Sequence, residues 1–154
     1  LLDLRGLELF ERLGFDLANA FASDRESLSD LFQGTRVILA DSEAQIERLE
    51  KVFELLGKAA RGKKCDAIEG ILDEGKEIME EYADTPALDA GLLAAAQAVE
   101  HYEISRYGTL KAWALKLNNP QAAKLIEQTL AEEKKTDETL TKIAETAVNY
   151  EAAA

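Results

Sequence analysis

A single cysteine, Cys65, leaves this chain without a possible internal disulfide, and a reducing cytoplasm is the expected location. Proline occurs twice and glycine nine times in 154 residues, a scarcity that suits long helices. No apolar run approaches the roughly 20 residues needed to cross a bilayer, so no membrane span is predicted. Basic residues are also in short supply. Eighteen Lys and Arg against 30 Asp and Glu give a formal charge of -12, which argues against nucleic acid or an anionic membrane surface as partner. The opening LLDLRGLELF lacks the basic start, apolar block and small-residue cleavage site of a secretory signal, and none is expected. At this length a single domain, residues 1–154, can bury a proper core without disulfide or zinc staples.

What the chain does have is helical periodicity, clearest in LAAAQAVEHYEISRYGTLKAWA, residues 93–114. Leu93, Ala96, Tyr107, Leu110 and Ala114 recur in alternating steps of three and four, and the same register lands on Glu100 and Glu103. Two glutamates therefore sit inside an apolar stripe. Burying two like charges one turn apart is strongly unfavourable unless protons, cationic side chains or a metal neutralise them.

The other segments build a frame for this helix. Leu2 to Ala22 reads as a first helix with two competing registers, one through Leu4, Leu7, Glu11, Gly14, Ala18 and Phe21, the other through Phe10, Leu13 and Leu17. The polar SDRESLSD, residues 23–30, offers Ser23 or Ser27 as a cap for a second helix that ends at Gly57. Its inward positions are Leu31, Ile38, Ser42, Gln45, Leu49, Val52 and Leu56, with Asp41 one step aside. Residues 58–64, KAARGKK, read as a solvated basic loop. A shorter helix over Cys65 to Tyr82 follows, with Ile68, Ile71, Leu72, Ile78 and Met79 on one side. Thr85-Pro86 is a start signal for the central helix, with threonine as cap, and Asn118-Asn119-Pro120 both stops it and starts the last. That last helix, Gln121 to about Tyr150, has its stripe at Ile126, Leu130, Glu133, Asp137, Leu140 and Ala144. Two long hairpins joined by a crossover holding a short helix predict an all-α, ferritin-like four-helix bundle.

Inward or near-inward acids then fall on all four long helices: Glu11, Asp41, Glu100 with Glu103, and Glu133 with Asp137. Acids at comparable heights in such a bundle can converge on an oxygen-rich site for two iron or manganese ions, whose chemistry is redox work on oxygen or peroxide. The alternative for each acid is an outward position or a lysine partner. His101, the sole histidine, lies beside Glu100 rather than on its face and is expected at the surface or behind the ligands. Tyr107 is expected in the core, and Tyr102 and Trp113 at the flanks. Cys65, near Lys63 and Lys64 at a helix start, has the setting of a low-pKa thiol but no partner thiol to resolve it.

Four blocks of this sequence resemble the bacterial stress-associated YciE/YciF group of ferritin-like proteins: QIERLEKVFELLG (45–57), RGKKCDAIEGILDEGKEIMEEY (61–82), AAAQAVEHYEISRYGTLKAWA (94–114) and LIEQTLAEEKKTDETLTKIAE. They span about the last two thirds of the chain. The resemblance implies a rubrerythrin-like bundle, a homodimer and a di-metal centre, with the Glu-x-x-Glu of the third helix falling on Glu100 and Glu103 and the fourth-helix acids on Glu133 and Asp137. Members usually carry a histidine and a Glu-Thr pair in the second helix, where this chain has Ile38 and Asp41-Ser42. In the first helix the family sequence is echoed only by Phe10-Glu11-Arg12.

Two functions follow as expectations. One is a ferritin-like stress-response protein whose six acids hold iron or manganese and react with oxygen or peroxide. The other is a metal-free helical interaction or structural module, consistent with the missing histidine.

Overall fold

The computed structural model describes the backbone of residues 36–61 and 65–153, and side chains from residue 44 onward within them. Every regular element among these residues is helical: α1 (Arg36–Leu55), α2 (Asp66–Glu81), α3 (Leu88–Lys116), α4 (Pro120–Ile143), a π-helical turn (Ala144–Val148) and a closing α-helical turn, α5 (Asn149–Ala152). None of the described helices is long and apolar enough to cross a membrane. The expected first helix, with Glu11 and the 23–30 connector, lies outside the described residues, as does the side chain of Asp41, whose backbone is in α1.

The helix ends follow from local chemistry. Gly57 adopts φ +66°, and its N–H donates to Glu54 O while Lys58 N–H reaches back to Phe53 O, the reciprocal pair that closes a helix through a left-handed residue. Asn118 repeats the arrangement at φ 61°, with Asn118 N–H on Leu115 O and Asn119 N–H on Ala114 O. Asn119 then caps α4, its Oδ1 accepting from Ala122 N–H at 3.0 Å just ahead of Pro120 in the first turn. Two expectations need correction. The Thr85 hydroxyl does not cap α3; it donates back to Tyr82 O at 2.8 Å, and the first helical residue is Leu88. The last helix also does not stay α to Tyr150, because it widens to a π turn at Ala144–Val148. There the Thr146 hydroxyl donates to Lys142 O at 2.6 Å and competes for a carbonyl of the helical ladder.

The described residues group into two compact units, one of α1 and the residues that follow it to Cys65 with Ser105–Glu132, the other of Asp66–Ile104 with the chain from Glu133 onward. Among the described residues of the first unit, the buried apolar ones include Leu49, Val52 and Phe53 of α1, Tyr107, Leu110 and Ala114 of α3, and Ala122, Ala123, Ile126 and Leu130 of α4. Tyr107 is wholly buried, as its stripe position requires. Arg48 closes this unit. Its Nη1 and Nη2 each donate to a Glu132 carboxylate oxygen at 2.6 Å, and Nη1 also donates to Thr129 Oγ1 at 2.9 Å. Cys65 is buried and unbridged, which takes away the exposure a reactive thiol needs.

In the second unit α2 presents Ile68, Leu72 and Gly75 as its buried side, continuous across both of its glycines. Gly91 of α3 lies so close to α2 that a Cβ there would stand 2.6 Å from Ile78 Cγ2. A side chain at that position would force Ile78 or the helix that carries it to shift. Glu100 and Glu103 of α3 and Glu133 of α4 belong to this same unit.

Candidate metal centre

The register of α3 turns Glu103 fully inward and leaves Glu100 half-buried one turn before it, while the register of α4 turns Glu133 inward. Glu103 and Glu133 each retain 4% of their exposure. Each of the three carboxylates offers an oxygen, and these oxygens lie within 4.8 Å of one another. The three carboxylates face one another. Burial first of all, and then hydrogen bonding to Glu133 and the negative charges of Glu133 and Asp137, push the Glu100 carboxyl up to about 9. Burial likewise holds Glu103 well above the ordinary carboxylate range, reinforced by the charges of Glu133 and Glu100.

Glu100 Oε2 is buried with no donor to satisfy it. A carboxylate accepts and never donates until it is protonated, so a hydrogen bond between Glu100 and Glu133 requires that one of them hold a proton. Protons or cations are the two ways to make this cluster stable. The donor set is all oxygen and all anionic, which suits hard or borderline divalent ions such as manganese and iron and disfavours soft ones. The residues present therefore fit a metal of the expected kind.

Asp137, on the same stripe as Glu133, lies beside the trio rather than within the group of converging oxygens. Its Oδ1 accepts from Gln97 Nε2 at 3.1 Å and lies 3.1 Å from His101 Nε2. His101 is indeed a surface residue, its side chain 69% exposed, and it reaches the site only through Asp137. Gln97 was not singled out from the sequence. It stands one residue after Ala96 of the stripe, three before Glu100 and four before His101, and the structure half-buries it. The same Nε2 also lies 2.9 Å from Thr141 Oγ1, so one amide spans two α4 side chains a turn apart. Of the six acids expected as ligands, the structure brings together Glu100, Glu103 and Glu133, sets Asp137 alongside them, and describes neither Glu11 nor the Asp41 side chain.

An all-helical protein with buried carboxylates converging from two of its helices is the class that this fold and site define. The chain belongs to the family described as Domain of unknown function (DUF892), which matches residues 11–153. Protein YciF of Escherichia coli (strain K12) is 42% identical over 134 residues, covering 86% of this chain and 79% of that protein. Two solved structures share the fold. YcfI of Rhodopseudomonas palustris, described provisionally as a structural protein, superposes with a TM-score of 0.79 at 35% identity over 88% of this chain and 92% of its own. The Escherichia coli stress protein YciF superposes at 0.70 with 40% identity, over 94% and 88%. These matches bear out the all-α helical-bundle class.

Proposed function

We propose that this protein binds divalent iron or manganese through Glu100, Glu103 and Glu133 and uses the metal against oxygen or peroxide in a bacterial stress response. The observation that carries the reading is the convergence of three carboxylates, two of them buried to 4% exposure, around an unsatisfied Glu100 oxygen. A surface ion pair needs no such burial, and a core needs no such charge. When bound, the metal supplies redox and Lewis-acid chemistry. The chain's own contribution is to exclude water at Glu103 and Glu133, and to keep Glu100 at the half-buried edge where a proton or a small molecule can pass. The likeness to a stress protein supports the physiological setting, and the family resemblance extends the reading to a cytoplasmic homodimer in which Glu11 and Asp41 complete the ligand set.

A second reading has an observation of its own. With Glu100 raised to about 9, the cluster holds protons at neutral pH and is self-sufficient without metal, as a structural module would be. Elemental analysis of freshly purified protein separates the two. About two iron or manganese ions per chain, lost in the Glu100→Ala/Glu103→Ala double variant, is the expected result; wild-type protein that is metal-free and takes up neither ion from solution leaves the structural module.

A further inference from the structure

Four side chains outside the carboxylate trio form a ladder between α3 and α4. Gln97 and His101 are one turn apart on α3, and Asp137 and Thr141 are one turn apart on α4. The Gln97 amide nitrogen lies within hydrogen-bond distance of both Asp137 Oδ1 and Thr141 Oγ1, at 3.1 and 2.9 Å, and His101 Nε2 reaches Asp137 Oδ1 from the exposed side. Both bonds to Asp137 end on the same oxygen, Oδ1, and neither occupies Oδ2. The charge of Asp137 acts on Glu100, so this carboxylate is near enough to the trio to matter to an ion held there.

We propose that Gln97 and His101 are positioning residues for the metal centre: by donating to Oδ1 they fix the Asp137 carboxylate beside Glu100 and leave Oδ2 as the oxygen available to a cation. This inference rests on the metal-binding reading above. Of the two, Gln97 does the larger share. It is half-buried and anchored a second time on Thr141, whereas the His101 side chain is 69% exposed. A neutral side chain with a donor at this end is required, because a carboxylate at position 97 would repel Asp137 and an apolar group would release it. Residues that orient metal ligands from behind change affinity by about 10–100-fold when removed.

The test is a double-mutant cycle read as Mn2+ affinity by electron paramagnetic resonance on the full chain, with Gln97→Met, Asp137→Asn and the double variant, each first checked for helicity and melting temperature. Gln97→Met should weaken Mn2+ binding about 10–100-fold without loss of helicity. Adding Asp137→Asn to it should cost little more than either change alone, since Gln97 acts through that carboxylate. Thr141→Val and His101→Ala should give smaller losses than Gln97→Met. Unchanged affinity in Gln97→Met overturns the positioning role and leaves the metal reading standing, and so does full additivity in the cycle, which would mark Gln97 as a packing residue. Wild-type protein that binds no Mn2+ overturns both.

Discussion

Glu132 and Glu133 follow one another on α4, yet they fall in different units and meet different neighbours. Successive residues of a helix point about 100° apart, so one step of sequence sends the two carboxylates to different neighbours. Glu132 meets a guanidinium that matches both its oxygens, with Thr129 taking a further donor from the same arginine. Glu133 meets Glu100 and Glu103. The first acid is complete within the protein. The second sits among carboxyls whose burial and mutual charge push Glu100 and Glu103 above the ordinary range. The contrast separates an acid matched by an arginine from acids gathered against one another.

The largest expected effect concerns pH in metal-free protein. The folded-state values of Glu100 and Glu103 lie above the unfolded value near 4.5, so between pH 4.5 and about 9 the folded protein binds more protons than the unfolded chain. Stability is therefore greatest at the acid end of that window and falls as pH rises, by up to about 1.4 kcal/mol per pH unit for each group still protonated when folded. Denaturant melts at pH 6 and pH 8.5 should show the decline. The Glu100→Gln/Glu103→Gln/Glu133→Gln variant should flatten it. A stability that rises with pH in metal-free protein would break the comparison at its root.

On the Glu132 side the effect is smaller and of another kind. Arg48→Met removes two charge-assisted bonds from a carboxylate that is only partly exposed and should cost about 1–2 kcal/mol in chemical denaturation, unchanged by added metal. If the same variant altered Mn2+ affinity, the two acids would not be independent. The smallest effect belongs to the pair of Lys111 with Glu127, more exposed than Arg48 with Glu132. Lys111→Ala should cost no more than about 0.5 kcal/mol.

Much of this contrast was legible in the sequence, because a helix converts spacing directly into direction. Glu100, Glu103, Tyr107, Leu110 and Ala114 share a stripe by counting alone; the last four are buried and Glu100 is half-buried. The two left-handed helix ends were legible for a similar reason, since glycine at 57 and asparagine at 118 are the residues that tolerate that conformation. What counting could not reach was the partner. Arg48 and Glu132 are 84 residues apart, Gln97 and Asp137 are 40 apart, and nothing local announces either pair. The Thr85 hydroxyl shows the same limit at short range, because a threonine before a helix can bond forward or backward and the turn geometry decides which. The π turn was hidden because Thr139 makes the same kind of backward bond, to Lys135 O, without widening the helix.

The contact between Gly91 and Ile78 has a mechanical consequence. A helix packed by ordinary side chains can slide along its neighbour by exchanging one ridge for the next, whereas a backbone notch admits its neighbour at a single height. Gly91 stands nine residues before Glu100 and twelve before Glu103, about 14 and 18 Å along the axis of α3. The short helix α2 thus works as a key seated in that notch, setting how far along its axis the carboxylate-bearing helix sits.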